Sequence, residues 1–216
     1  DHLLLYDKFL TFCVMLSKPP KSASRQRLLE AMVFFSSKHG VKYPSKMMMY
    51  KLLAELDFRH FGETGLPVTN LRYVAEKWGP LPDQLHAEIT QGEDIVLPDD
   101  FSPALFVETI EILSESGMPR KMFKYTAKRK PNLKVFSPRQ QRILEEVRDI
   151  YRDANPTEAS EASHEQGKPW TITVARHGQG AIIDLLETIQ LTKPLTREIA
   201  EERLRERNAL VYNYGE

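Results

Sequence analysis

The chain of 216 residues carries a single cysteine, Cys13. One thiol closes no internal disulfide, so nothing asks for an oxidising compartment and a cytoplasmic location is expected. Long hydrophobic runs are missing as well. The richest, Leu3 to Leu16, is interrupted by Asp7 and Lys8 and falls short of the roughly 20 residues that cross a bilayer. Only Ser17-Lys18-Pro19-Pro20 follows it, with no small-residue cleavage site, so it reads as an amphipathic helix over about residues 2 to 16 rather than a signal peptide. The chain opens at Asp1 without methionine, which predicts a longer natural N-terminus. Net charge is absent too, with 30 basic against 30 acidic residues, so the chain as a whole is no polyanion binder, although a local patch could be. Metal-ligand spacing is lacking: the histidines at 2, 39, 60, 86, 164 and 177 form no His-x3-His, and no Cys-x2-Cys exists. Gly178-Gln179-Gly180 is followed by Ile183 where a dinucleotide fingerprint needs glycine, and by no Walker lysine. No cofactor and no metal are expected, and no internal repeat or low-complexity tract is found.

What is present is an ordinary globular balance, 41% apolar and 28% charged, enough for a substantial core. Proline, glycine and capping residues divide it. A helix is expected from Ser24 to Gly40, with Gly40 as a left-handed cap, and another from Lys46 to Phe61 after Pro44-Ser45. Gly62 to Pro67 reads as a loop. Thr69 would cap a short helix running to Trp78, which Gly79-Pro80 ends, and a further helix covers Pro82 to Gln91. Leu105 to Leu113 is ambiguous; its β-branched content favours a strand, pairing with the alternating Met122–Lys128 segment and a returning Leu133–Phe136. Ser137-Pro138-Arg139-Gln140 opens a helix to about Arg152, with serine as N-cap, proline at the first position and glutamine at the capping-box position. Thr157–Ser163, Ala181–Leu191 and a highly charged Arg197–Leu210 complete the helices, and Pro169-Trp170 starts a segment of its own. The fold class is mainly α with a small antiparallel β-sheet or hairpin.

Residues 51 to 82 hold the most distinctive pattern: Lys51-Leu52-Leu53-Ala54 and Asp57 on one helix, then Gly65, Thr69-Asn70, Tyr73 and Trp78-Gly79-Pro80-Leu81-Pro82. A second block has Phe136-Ser137-Pro138, its helix, and Ser163-His164 with Trp170 six residues after the histidine. Together, in this order, they resemble the Panacea (SocA-like) antitoxin domain family over roughly Arg25 to Ile189. Two departures stand out: Ala54 replaces a usual tyrosine, and Asn70 a common glycine, which is tolerable because asparagine also reaches positive φ. The resemblance implies a single helical domain over 25–191, flanked by an N-terminal helix and linker (1–24) and a C-terminal charged helix (192–216). It implies a non-enzymatic bacterial antitoxin, often carried on phage-linked or mobile operons. Its partner would be a cognate protein toxin, neutralised by direct contact in most of the family and by delivery to a protease in the namesake.

Helical spacing says what the marked residues can do locally. Lys51 and Glu55 share a face and can pair, whereas Lys51 and Asp57 point about 120° apart. Asp57 and His60 also share a face, either as part of a polar partner site or as a local ion pair that fixes the loop at Gly65; the structural role is favoured. Trp78 is expected in the core, with the floor of a partner groove as the alternative. The Gly79-Pro80 turn swings two elements apart. Ser163-His164-Glu165 invites a catalytic interpretation, but no Gly-x-Ser-x-Gly elbow accompanies it, and His164 is expected instead as a buried hydrogen-bonding group that ties in Trp170. The run Arg120 to Lys134 has seven cations, Lys124 and Lys128 among them, and no acidic residue, with Phe123, Tyr125 and Phe136 interleaved. It suits a solvated hairpin with core-facing aromatics, then an acidic protein partner, then nucleic acid. Candidate partner contacts are therefore Lys51, Asp57, His60, Thr69, Tyr73, Trp78, Lys124 and Lys128. Candidate structural positions are Gly65, Gly79, Pro80, Ser163, His164 and Trp170. A nucleic-acid-binding regulator is the main rival function, and no membrane association is expected.

Overall fold

The computed structural model of the chain describes residues 22–113, 117–191 and 195–214. The expected leading helix lies outside these residues. Helix α1 (Ala23–Ser36) starts where the Ser22 hydroxyl accepts the Arg25 amide. It does not reach Gly40. That glycine serves a close approach instead, since a Cβ there would sit 2.1 Å from the Phe35 carbonyl oxygen. Helix α2 (Lys46–Thr64) is capped by Ser45 at one end and by Gly65, in the left-handed conformation at φ 75°, at the other. It runs a turn longer than expected because Thr64 bonds back to the His60 carbonyl (2.7 Å) before Gly65 ends it. Helix α1 is buried from Leu28 to Ser36, and α2 along most of its length, from Met48 to Thr64. It packs against α1 and α4 (Pro138–Tyr151) around a core of Met32, Phe35, Leu52, Leu53, Ile143 and Leu144. The apolar surface removed from water there, at about 25 cal/mol per Å², is the main favourable term.

Helix α4 carries the expected capping box, and α5 (Pro156–Ser163) carries a second one from Asn155 and Glu158. Helices α3 (Asp83–Ile89), α6 (Pro169–His177) and α7 (Arg197–Tyr214) complete the described set. Three small two-stranded antiparallel sheets accompany them, so the fold is mainly α with little β. The longest pairs β5 (Leu105–Leu113) with β6 (Pro119–Ala127), Leu105 opposite Ala127. Phe123 and Tyr125 face inward at its base, and exposure rises towards the turn. Strands β3 (Thr90–Gln91) and β4 (Asp94–Ile95) form a short ribbon after α3.

Three expected elements differ. Residues 73 to 82 are a hairpin, β1 (Tyr73–Glu76) paired with β2 (Gly79–Pro82), not a helix capped by Thr69. Thr69 instead donates its amide and its hydroxyl to Asp57, which ties the chain to α2 just before β1. Leu133–Val135 is a 3-10 turn rather than a returning strand: the Gln141 side chain donates to the carbonyls of Leu133 and Phe136 (3.0 Å each). The outer edge of β6 is met instead by Pro44, whose carbonyl accepts the Tyr125 amide at 2.9 Å. Finally, Ala181–Ile183 runs along β1, with the Ile183 amide on the Tyr73 carbonyl, so helical structure begins only at Leu185, as a 3-10 segment to Leu191.

Candidate functional site

Besides Tyr50, helix α2 buries four acidic or basic side chains, Lys51, Glu55, Asp57 and His60. A buried polar group is tolerated only when it is partnered. The partners divide the four into two sites at opposite ends of the helix.

At the C-terminal end, Asp57 is fully buried and is the hub of the following loop. Its Oδ1 accepts the amides of Val68 (2.7 Å) and Thr69 (2.8 Å). Its Oδ2 accepts the hydroxyls of Thr69 and Tyr73, the latter at 2.8 Å. Burial pushes the carboxyl above the usual range while these four donors pull it back down. Tyr73 is raised far more firmly, by burial and by the Asp57 charge. His60 does not pair with Asp57, as helical spacing suggested. Its Nδ1 donates to the Leu66 carbonyl (2.6 Å), and burial lowers its pKa, so the ring is neutral and the bond fixes its tautomer. Gly65 sits under α7, where a Cβ would lie 2.9 Å from the Ala200 Cα. Arg203 of α7 donates to the Thr64 carbonyl and Arg207 to the Asn70 side chain, while Asn70 takes φ 59°. Asp57, Thr69 and Tyr73 are thus enclosed, and with His60 they hold the loop that delivers the chain to β1.

At the N-terminal end, Lys51 is 3% exposed and its Nζ donates to the Trp78 carbonyl. It does not take Glu55, which accepts Arg59 (2.6 Å) and Lys168 (3.2 Å). Burial lowers the Lys51 pKa to about 8. The Trp78 carbonyl also accepts the Ser160 hydroxyl at 3.1 Å, which locks the Lys77-Trp78 turn to α5. Gly79 has φ 108°, and a Cβ on it would lie 2.7 Å from the Ser163 Oγ and 2.9 Å from the Lys51 Nζ. Only glycine lets the turn close over this pair. Trp78 itself, expected in the core, is 60% exposed: its backbone is pinned and its ring stands outward under the Lys77 ammonium, 4.7 Å from the ring centre.

Pro80, Ser163 and Trp170 join Lys51 around a small cleft of about 10 Å³, room for roughly one water, with Ala54, Glu55 and Tyr151 also in its wall. The Trp170 indole donates to the Glu76 carbonyl (2.8 Å), which fastens α6 to β1. His164 stacks on Trp170 at 3.8 Å, so it holds the tryptophan by ring contact, not by the hydrogen bond expected, and its buried Nε2 has no hydrogen-bond partner among the described residues. Burial, then the Lys51 charge, keeps His164 neutral. Ser163 donates to the Ser160 carbonyl (2.7 Å), so its proton is directed to backbone rather than to a base. No three His, Cys, Asp or Glu side chains among the described residues are grouped to hold a metal ion.

Lys124 and Lys128 lie elsewhere, on β6 and just beyond it, and much of the basic run is already engaged. Arg129 forms a two-toothed pair with Glu30 (2.6 and 2.9 Å), Lys121 binds Asp94 (2.8 Å), and Lys128 donates to the Ser102 carbonyl. Sequence spacing missed Glu55, Arg59 and Lys168 as a cluster, since Lys168 arrives from 113 residues away. It also missed Tyr151 in the cleft wall.

The sequence model of the family described as "Antitoxin SocA-like, Panacea domain" matches residues 49–171, more than half of the chain. The protein belongs to this antitoxin-like family. The match begins just before Lys51 and ends just after Trp170, so it contains both ends of the α2 site. No curated protein and no solved structure matches the chain significantly. No described helix is long and apolar enough to cross a membrane.

Proposed function

We propose that this protein neutralises a cognate toxin by direct contact through the face centred on Trp78. The family supports an antitoxin role, and one observation carries the choice of face: a tryptophan 60% exposed on a turn whose backbone is immobilised from two sides. Binding energy concentrates in a few anchors, with tryptophan foremost among them. A turn whose backbone is held in place before the encounter has less entropy to lose on docking. The hairpin supports a second contact, because Phe106, Leu113 and Met118 are exposed on β5 and at the start of β6. Nucleic-acid binding is disfavoured by the internal pairing of Arg129 and Lys121.

The test is co-expression with the neighbouring gene of the operon. Growth rescued from a neighbour lethal by itself, with both proteins co-purifying, supports the proposal. Trp78→Ala should then weaken the complex by at least about thirty-fold, the loss of an anchor of about 2 kcal/mol, with an unchanged melting temperature. Rescue with disappearance of the toxin and no stable complex points to delivery to a protease instead. A neighbour that is not toxic sinks the toxin-binding function.

A further inference from the structure

The β5–β6 hairpin has two edges, and only one of them is met by other chain. The Lys128 amide donates to the Ala104 carbonyl (2.8 Å), so these residues face each other as a hydrogen-bonded pair. Such pairs alternate along an antiparallel ladder. With Leu105 opposite Ala127, the backbone groups of Phe106, Glu108 and Ile110 therefore point at β6, and those of Val107, Thr109 and Glu111 point away from it. The same alternation turns the Tyr125 amide outward on β6, where the Pro44 carbonyl accepts it at 2.9 Å. On β5 the outward amides and carbonyls of Val107, Thr109 and Glu111 have no backbone partner among the described residues. Natural edge strands are guarded by lysine, proline or a bulge. Strand β6 has Pro119, Lys121 and Lys124, whereas β5 runs nine residues with none of these and is rich in valine, threonine and isoleucine. The charge on β5 is of one sign: Glu108 and Glu111 stand exposed on opposite faces of the strand. Lys121, across from Glu111, binds Asp94 at 2.8 Å. Beside Glu108 lies an apolar stripe, Phe106 (51% exposed) with Ile110 on the same face. A neighbouring strand of opposite charge is stabilised beside such carboxylates and one of like charge is opposed. A second copy of β5 would bring two more carboxylates to the seam, whereas a basic strand complements it.

We propose that the free edge of β5 takes an extended, basic segment of the partner protein as a third, antiparallel strand, with lysine or arginine beside Glu108 and Glu111 and apolar side chains beside Phe106 and Ile110. Backbone hydrogen bonds to Val107, Thr109 and Glu111 supply the affinity, and the charged and apolar neighbours select the segment. The added strand also steadies the hairpin, since two strands standing alone are marginal and three with an apolar face are not. The proposal rests on the toxin-binding function and gives its second contact a geometry.

The full chain, isotope-labelled for amide spectra, is titrated with the capped peptide Lys-Val-Thr-Lys-Thr-Val, which sets its lysines opposite Glu111 and Glu108. A counterpart with glutamate for both lysines is run in parallel. The amides of Val107, Thr109 and Glu111 should shift and saturate together while those of Phe106, Glu108 and Ile110 move little, an alternation that contact with the side chains alone does not produce. The glutamate counterpart should bind about tenfold more weakly, as two cross-strand attractions become repulsions. Thr109→Pro removes an outward donor without touching the ladder to β6, and should abolish the response with an intact melting transition. Should that variant not fold, Glu108→Lys with Glu111→Lys decides, because it should invert the preference between the peptides. Equal binding of the two peptides by the wild type, a response without alternation, or no saturable response overturns the proposal. So does a shift of the same three amides with protein concentration alone, which would assign the edge to a second copy. In cells, weaker rescue by Thr109→Pro than by the wild type, with the neighbouring gene as toxin, supports it. Equal rescue by both overturns it while leaving toxin binding intact. No rescue by either defeats toxin binding, and the titration alone then decides the strand site.

Discussion

At the scale of the residue, Asp57 has the largest structural consequence. It satisfies four donors that would otherwise be buried bare, two of them the amides that start the descent to β1. Asp57→Ala should therefore cost on the order of 4 kcal/mol or more, since each orphaned buried donor costs about 1–3 kcal/mol. Asp57→Asn keeps one acceptor for the two amides and should lose roughly half as much; urea denaturation of both variants checks the order. If Asp57→Ala melted like the wild type, the loop would not depend on this hub. Gly79→Ala makes a second point. Its φ of 108° and the 2.7 Å approach to Ser163 leave no room for a methyl group, so the turn must shift. Trp78 should then move, seen as a change in tryptophan emission together with a lower melting temperature. The importance of these residues was legible in the sequence, because Lys51, Asp57, Thr69, Tyr73 and Gly79 all fall in the recognisable stretch. Their partners were not. Helical spacing offered Glu55 to Lys51 and His60 to Asp57, being the only neighbours that a period of 3.6 can reveal. The chosen partners came from a backtracking loop and from Lys168, which only the tertiary fold brings near.

At the scale of the element, caps were readable and competition was not. Ser137 and Gln140 form the capping box that their order announced, and Ser137→Ala should cost about 1 kcal/mol of stability in thermal melts, leaving the rest of the fold unchanged. Ser45, Asn155 and Gly65 also end their helices as their residue types suggest. The errors arose where a side chain from elsewhere claimed the group that a local element needed. Asp57 tied Thr69 back to α2, Gln141 took the Leu133 carbonyl from its strand, and the edge of β1 took Ala181 to Ile183 from their helix. The β5–β6 hairpin shows a different element property. Two strands without a covered face are only marginally stable, yet Phe106, Leu113 and Met118 remain exposed. Replacing Leu113 and Met118 together by serine should leave the melting temperature within about 2 °C, since surface changes stay within roughly 0.5 kcal/mol. It should weaken the toxin complex if the hairpin is a second contact. A large fall in melting temperature would instead make these side chains part of the fold's own packing.

At the scale of the whole molecule, a net charge of zero hides a stability curve governed by a few buried groups. Lys51 has a folded pKa of about 8, below its unfolded value of about 10.5. Between those values the unfolded chain holds the extra proton, so stability rises with pH across that interval. The cost of the buried ammonium is fully present below pH 8 and is relieved as pH climbs. Buried Tyr73, Tyr125 and Tyr151 act in the opposite sense. Their raised folded values mean that their contribution is intact below about pH 10 and is lost above it, where the unfolded chain ionises first. The intrinsic contribution of Lys51 is thus isolated between pH 8 and 10 by comparing the wild type with Lys51→Met. The advantage of the variant should shrink over that interval by about 2 kcal/mol, one pKa unit corresponding to about 1.4 kcal/mol. A pH-independent difference would mean that Lys51 is charged, or neutral, equally in both states, and that burial does not govern it. If the difference does shrink, the protein carries at neutral pH a buried cation that costs it stability, and the cost ends only as the ammonium gives up its proton.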